Sequence, residues 1–321
     1  MMRLCIIICI LICTSYTYVH SQEFWKDTLW STTIPKAGNI SAKLLFHPDG
    51  KSLFVTSDEA LYQYDCSNGK LVRTRLSQSG SAIIDYHISR DTQTLYLLTR
   101  RFLEIWHIEN GFLRKFPLRH QGVTSFSIST DGLTAFIGYY NRGLEKMSLS
   151  NGEILMSTNE VGYEISLNPD NSDIVCFYAP MTHRTSIVSA ENLRIIHTLP
   201  PTTHTPMYSS DGKYIIGIGS NNTVSIYDTK EEKQYYLPGH KGKITGICFD
   251  NTGKYILTSS MYEPETNFGY RIWSIEKKEL FINGQPELNG RKIAHSPVDS
   301  LFALSSGDTG RIIVCRHETL P

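Results

Sequence analysis

The residues of this chain best suited to chemistry are its histidines and a few carboxylates. Metal sites and general bases need such groups at short, defined spacings, and the sequence has no H-x-x-x-H pair and no C-x-x-C pair. It also lacks a G-x-S-x-G nucleophile motif, a phosphate-binding loop and a dinucleotide fingerprint. The histidine candidates are His47, His87, His107, His183, His204 and His240. The sequence therefore gives catalysis little support, and we expect no cofactor and no resident metal.

A second kind of chemistry, that of protein interfaces, has better candidates. Tyrosine and arginine are common interface anchors, and three segments concentrate them or other aromatic residues. The expected partner-binding residues are Arg100, Arg101, Tyr139, Tyr140, Arg142, Tyr262 and Phe268. For each segment a structural interpretation stays open: one tyrosine of the pair packs inside, Arg142 is merely solvated, and the segment 261–270 is a drifted hairpin.

Two N-glycosylation sequons begin at Asn39 and Asn221. Such triplets arise by chance about once or twice in a chain of this size, so they are modest evidence for modification. If both carry glycans, part of the surface around them is shielded from a partner.

The elements that position these residues follow from an internal repeat. A turn signal of the type H-P-D-G at His47–Gly50 recurs in worn form six more times, at steps of 42, 40, 39, 41, 41 and 46 residues. A period of this length indicates an array of small structural units. The units are expected at 40–78, 79–119, 120–159, 160–201, 202–239, 240–283 and 284–321.

Each unit reads as four short strands, and helical patterning is absent. In the fifth unit the strands are predicted at 205–209, 213–219, 223–228 and 233–237, because apolar and β-branched residues alternate there with polar breaks. The third strands align best. The large residues near their ends are Tyr64, Trp106, Met147, Val188, Tyr227, Trp273 and Cys315.

At these positions the chain resembles the WD-repeat family. Gly239-His240 opens the sixth unit, Ile272-Trp273-Ser274 closes its third strand, and Tyr227-Asp228 is a milder version. No unit keeps the complete Asp-His-Ser-Trp set of the family, and quinoprotein-like propellers share the looser pattern. The resemblance implies an all-β fold: a single seven-bladed β-propeller of four-stranded antiparallel blades spanning residues 22–321.

The last unit supplies only three strands. The resemblance implies that the extended segment Thr28–Ile34 completes the seventh blade and closes the ring, with 25–36 as the closing region. We expect removal of the residues before Pro35 to lower the melting temperature strongly.

The resemblance also implies which face binds. The breaks between second and third strands, together with the connections between units, lie on one rim, which is the usual binding face of such propellers. The alternative function, an extracellular propeller enzyme of lactonase or hydrolase type, would place a metal in the central channel near Glu160, Glu164 or His204. His240 is most simply the blade-stiffening histidine of the family.

The N-terminus has the composition of a secretory signal. Met1-Met2-Arg3 is followed by ten apolar residues, Leu4–Cys13, and a more polar stretch that suits cleavage after Ser21. The alternative is an uncleaved membrane anchor, although the apolar region is short for a span of about 20 residues. We therefore expect a secreted protein without a membrane span after signal removal.

The charge balance bears on the class of partner, and the cysteine positions bear on disulfide formation. Lys plus Arg and Asp plus Glu are each 31, so no net field favours nucleic acid. After residue 21 the cysteines are Cys66, Cys176, Cys248 and Cys315, which fall out of register between units and are read mostly as small buried hydrophobes, with one chance bridge left open. The predicted function is a secreted, non-catalytic interaction scaffold that is itself monomeric and binds a protein, or a surface glycan, through one rim.

Overall fold

Seven sheets of four antiparallel strands make up the protein. The computed structural model describes residues 25–35, 44–178, 184–200, 204–261, 270–283, 292–305 and 310–317. The residues of the expected signal, 1–21, together with Asn39, Tyr262 and Phe268, lie outside the described residues. Among those described, no helix is long and apolar enough to cross a bilayer.

Each sheet is one blade, and in blades 1 to 6 the strands follow the sequence order from the inside of the ring outward. Blade 1 is β2 (Leu44–Phe46), β3 (Ser52–Ser57), β4 (Ala60–Asp65) and β5 (Leu71–Leu76). Blade 2 is β6 (Ile83–Ile88), β7 (Thr94–Thr99), β8 (Phe102–His107) and β9 (Gly111–Pro117). Blade 3 is β10 (Val123–Ile128), β11 (Thr134–Tyr139), β12 (Gly143–Ser148) and β13 (Ile154–Thr158). Blade 4 is β14 (Glu164–Leu167), β15 (Asp173–Tyr178), β16 (Arg184–Ser189) and β17 (Ile195–Thr198).

The remaining blades follow the same plan. Blade 5 is β18 (His204–Tyr208), β19 (Tyr214–Ile218), β20 (Val224–Asp228) and β21 (Lys233–Leu237), with a 3₁₀ turn at Ser220–Asn222. Blade 6 is β22 (Lys243–Phe249), β23 (Tyr255–Met261), β24 (Tyr270–Ser274) and β25 (Glu279–Asn283). Blade 7 is β26 (Lys292–His295), β27 (Leu301–Ser305), β28 (Arg311–His317) and, from the other end of the chain, β1 (Trp25–Thr33). The fold predicted from the repeat is confirmed, and the fifth-unit strands lie within one residue of their predicted ends.

The apolar core is divided among the seven junctions between blades. One cluster of buried side chains lies between each neighbouring pair. Successive side chains of a strand point to opposite faces, so β7 sends Leu95 and Leu97 toward blade 1 and Tyr96 and Leu98 toward blade 3. Each blade is therefore held by both neighbours.

The ring closes as the sequence predicts. Strand β1 pairs antiparallel with β28, and β2 of blade 1 contacts β26 of blade 7. Outside the sheet, the Ile34 N–H donates to the Gly310 carbonyl at 3.0 Å. The N-terminal strand thus covers an edge that would otherwise be free to pair with another chain.

A similar contact joins the outer strands of blades 7 and 2 to the next blade. Trp30 of β1 donates its indole N–H to the Cys66 carbonyl at 2.8 Å and lies over Gly69, where a Cβ would collide with the ring. Phe116 of β9 lies over Gly152 of blade 3 in the same way. Both glycines have positive φ, which residues with a side chain rarely adopt. The closing strand therefore uses the same device as a blade inside the chain.

Candidate functional site

The rim that carries the connections between blades presents most of the candidate residues. Because strands alternate in direction, the turns between second and third strands lie on the same rim as those connections, and the turns with the repeated Asp lie on the opposite rim. The candidate site is built from three segments of blades 2 and 3 on the first rim: 100–101, 118–122 and 139–142.

Tyr139 is not a surface residue. It is the last residue of β11, its side chain is 0% exposed, and its hydroxyl donates to Glu145 Oε2 at 2.9 Å. Burial, and next the neighbouring Glu145, raise the pKa of Tyr139 well above its usual range. The expectation that this side chain contacts a partner is therefore corrected: it packs inside, which was the structural alternative for one tyrosine of the pair.

Tyr140 and Arg142 follow Tyr139 in the chain and are exposed at the surface of the same turn. Tyr140 is 46% exposed, and its ring meets that of Tyr163 edge-on at 5.5 Å between centroids. The Tyr140 N–H donates to the Gly122 carbonyl at 2.8 Å, which fixes this turn against the neighbouring connection. Arg142 is exposed. An exposed aromatic ring on a fixed backbone is the kind of group that anchors an interface.

Arg100 and Arg101 form the neighbouring turn of blade 2. Both side chains are exposed. The Arg101 carbonyl accepts the Leu118 N–H at 2.8 Å, so this turn is attached to the connection that carries Arg119. Arg119, also exposed, was not among the sequence candidates because that connection matches no motif. The signal that could have found it is its position on the predicted binding rim beside two other arginines.

One glycosylation candidate lies in the described structure. Asn221 is exposed in the Ser220–Asn222 turn, with a φ of 56°. The following Thr223 donates its hydroxyl to the Ser220 carbonyl at 2.8 Å. The Asn221 side chain is accessible on the same rim as the arginines, two blades from blade 3.

The candidate channel groups are Glu160, Glu164 and His204. Glu164 begins the inner strand β14, and its Oε2 accepts the Thr205 N–H at 2.5 Å. Burial raises the pKa of the Glu164 carboxyl, opposed by this hydrogen bond and by Lys292. His204 lies exposed on β18 with its ring 4.2 Å from that of Phe177, and Glu160 is exposed. In the described part of the chain, no three His, Cys, Asp or Glu side chains are grouped to hold a metal ion.

Blade 6 contains most of the family's hydrogen-bonding set. The Thr258 hydroxyl lies 2.7 Å from His240 Nε2 and 2.9 Å from the Trp273 indole nitrogen, and all three side chains are buried. Gly239 packs so closely on the Asn222 carbonyl that a Cβ would overlap it. The Gly-His signature of the sequence thus has a structural role here, as expected for His240.

In blade 2 the buried tryptophan donates to a carboxylate, that of Glu104, which was not among the candidates from the sequence. Glu104 is 0% exposed and accepts four hydrogen bonds, from the Ser77 hydroxyl, the Trp106 indole and two backbone N–H groups. The first three lie at 2.8 Å, 3.1 Å and 3.1 Å and the fourth, from Ser79, at 2.9 Å. A single carboxylate within the apolar run Phe102–Trp106 was the signal for it, because buried charges require partners.

On the opposite rim, a polar depression of about 480 Å³ lies between blades 4 and 5. Its acids are Asp170, Asp173 and Asp211. Asp173 accepts from the Tyr208 hydroxyl and from Asn168 at 3.2 Å, and Asp211 pairs with Lys213 at 2.8 Å. These carboxylates are engaged in holding the turns.

The four cysteines in the described part of the chain are unbridged. Cys66, Cys176 and Cys315 are buried, in agreement with their interpretation as small core residues. Burial raises the pKa of Cys66 to about 12 and that of Cys315 to about 11, so their thiols are poor nucleophiles.

Comparison with known proteins supports the architecture. The family model described as eukaryotic translation initiation factor eIF2A matches residues 137–289, from within β11 to just beyond β25. That is fewer than half of the 321 residues. A search of curated proteins finds no match.

Among solved structures, the β-propeller domain of Cps50 (Swd1) from Myceliophteria thermophila is similar, with a TM-score of 0.73 and 15% sequence identity. The alignment covers 89% of this chain and 98% of that domain. At this identity the similarity concerns the fold alone, which is a β-propeller in both. The chain therefore has the seven-bladed β-propeller fold of the WD-repeat type.

Proposed function

We propose that the protein is a non-catalytic scaffold that binds a protein partner through the rim segments of blades 2 and 3. The observation that carries the proposal is the exposed pair Tyr140 and Arg142 on a turn fixed by the Gly122 carbonyl. The seven interlocked blades hold this turn rigidly, so binding there orders few additional side chains.

Affinity purification of the tagged protein from its native source tests the proposal. We expect one partner in stoichiometric amount with the wild type and its loss with Tyr140→Ala/Arg142→Ala. The matched control is Tyr236→Ala/Lys233→Ala, which removes a tyrosine of similar exposure, 43%, and one positive charge from the outer strand of blade 5. Retention of the partner by the first variant, or its loss with the control, would contradict the assignment of the site.

We also propose that the protein is secreted after cleavage near Ser21. The apolar segment Leu4–Cys13 and the exposed sequon at Asn221 support secretion. The partial match to a translation factor family supports an intracellular role instead. Sequencing of the mature N-terminus separates secretion from the alternatives. A start near Gln22 supports secretion. An intact N-terminus supports a membrane anchor if the protein is in the membrane fraction, and an intracellular role if it is not.

The enzyme alternative has a separate test. Metal analysis of the purified protein, with Glu164→Gln and His204→Ala as variants, would favour a channel enzyme if the wild type carries a stoichiometric metal and the variants lose it. We expect neither metal nor a change of partner binding in these variants, since neither residue belongs to the proposed rim site.

A further inference from the structure

Four exposed arginines lie on the rim of blades 2 and 3. They are Arg100, Arg101, Arg119 and Arg142. In the part of the chain that the structure describes, none of their guanidinium groups donates a hydrogen bond or joins an ion pair. By contrast, Arg73 and Arg114 on the outer strands of blades 1 and 2 donate to backbone carbonyls of the next blade. The rim arginines are therefore not needed for the structural role that arginines have elsewhere in this fold.

The four arginines lie on three segments that backbone hydrogen bonds join side by side. The Leu118 N–H joins the connection 118–122 to Arg101, and the Tyr140 N–H joins that connection to the turn with Arg142. Within the connection, the His120 ring packs edge-on against Tyr139 at 5.6 Å. Segments 100–101, 118–122 and 140–142 contain no Asp or Glu. These segments thus carry four exposed arginines and no carboxylate of their own. The nearest opposing group is the buried Glu145, whose Oε1 lies 3.4 Å from His120 Nε2 beneath the surface.

We propose that this arginine surface binds a short acidic segment of the partner protein; the inference rests on the proposed function and names the chemistry of the same rim. A guanidinium is a planar donor that matches a carboxylate in a bidentate way, and arginine is favoured over lysine for such contacts. The exposed ring of Tyr140 lies beside the arginines and offers an apolar contact for a side chain next to the acidic residues.

The length of the ligand follows from the charges at the ends of the surface. Asp58 and Glu59 are exposed on the turn of blade 1, and Glu160 is exposed on the connection from blade 3 to blade 4. A long polyanion, such as a sulfated glycan or a nucleic acid, would extend past the arginines and meet these carboxylates. Like charges at such positions disfavour the wrong partner. A short acidic peptide fits between them.

A binding measurement tests this inference. The probe is a fluorescein-labelled peptide that alternates Glu and Ser, and heparin is the probe for the long polyanion. The test variant is Arg100→Ala/Arg101→Ala/Arg119→Ala, which leaves Tyr140 and Arg142 in place. The control, Lys230→Ala/Lys233→Ala/Lys254→Ala, removes the same charge from exposed sites of blades 5 and 6. Thermal melting of both variants checks that the fold is kept.

We expect the wild type to bind the peptide, the arginine variant to bind at least about tenfold more weakly, and the control to stay within about twofold. Added salt should weaken the wild-type interaction and abolish the difference between variants. Equal peptide binding by wild type and arginine variant overturns the inference, and so does a wild type that binds heparin but not the peptide. If the native partner is retained by the arginine variant but lost with Tyr140→Ala/Arg142→Ala, the scaffold stands and only the acidic-segment inference falls.

Discussion

Blades 2 and 6 both carry a buried tryptophan at the same position of the third strand, but they satisfy its indole N–H differently. Trp273 donates to the Thr258 hydroxyl on the neighbouring strand, and His240 Nε2 is also within hydrogen-bond distance of that hydroxyl. Trp106 donates to Glu104 two residues earlier on its own strand. The same architecture thus accepts a hydroxyl or a carboxylate at its centre, provided that the buried group has enough partners. A repeat can lose its signature residues and keep the fold.

The most severe test of this comparison removes the carboxylate from blade 2. Glu104→Ala leaves two backbone N–H groups, the Ser77 hydroxyl and the Trp106 indole without their acceptor, and we expect a loss of about 4 kcal/mol in the free energy of unfolding. Glu104→Gln keeps one acceptor oxygen and should lose about half as much. Denaturant titration measures both. Similar small losses for the two variants would show that the hydrogen bonds are not what holds this blade.

Blade 7 has an imidazole, that of the partly buried His295, where blades 2 and 6 have a carboxylate and a hydroxyl. His295 Nε2 lies 2.7 Å from His317 Nε2, and its Nδ1 lies 2.6 Å from the Ser296 carbonyl. Burial, and next His317, lower the pKa of His295 to about 4. Below its unfolded pKa of about 6.5 the unfolded chain takes up the proton first, so stability should fall by about 3 kcal/mol between pH 6.5 and pH 4.

Unfolding curves over this pH range check the expectation. His295→Gln removes the titrating group and should flatten that part of the profile. A wild-type profile that is already flat would mean that the folded and unfolded pKa values are alike.

In blade 6 the matched test is Thr258→Val, which keeps the shape and removes the shared hydroxyl. The Trp273 N–H is then buried without its acceptor, and we expect a loss of about 2 kcal/mol. Thr258→Ser restores the hydroxyl and should recover most of this loss except the contribution of the missing methyl group. Chemical denaturation compares the two, and an equal loss in both would assign the effect to packing.

The smallest loss in the free energy of unfolding is expected for Arg73, which bonds to the neighbouring blade and not to a buried polar group within its own blade. Arg73 donates to the Ile108 carbonyl at 2.7 Å and pairs with Glu109 at 3.0 Å, but the pair is open to water, with side chains 37% and 65% exposed. Arg73→Ala should therefore lose no more than about 1 kcal/mol, part of which 1 M salt should remove from the wild type. A loss as large as that of Glu104→Ala would mean that contacts between blades, and not centres within them, dominate stability.

The fold could be predicted from the sequence because its period is visible in the turns. The Asp-Gly positions and the strand alternation are local signals, and the unpartnered segment near Thr28 indicated how the ring closes. The number of units followed from counting the turns, whereas the closing strand followed from the resemblance to the WD-repeat family.

The candidate site could be predicted only in part. That Tyr139 is buried while Tyr140 is exposed depends on where β11 ends, and the sequence alone does not fix that boundary within one residue. Arg119 is adjacent to Arg101 only through the pairing of β8 with β9, which brings Leu118 to the Arg101 carbonyl. The role of Glu104 could not be predicted, because a glutamate in a strand is ordinarily solvated. Its hydrogen-bond donors Ser77, Gln78 and Ser79 come from the preceding connection, and only the fold brings them to it.

The closing strand has a consequence for how the protein is made. Ser31 and Arg311 hydrogen-bond across the seventh sheet although they are 280 residues apart in the chain. During synthesis β1 leaves the ribosome long before β28 exists, so six blades can form while β1 still lacks the three C-terminal strands of its sheet. Pairings of such long sequence separation form slowly because loop closure must precede them. Completion of the ring is therefore expected to be the late, rate-limiting step of folding, and a nascent chain would expose an unpaired edge until that step.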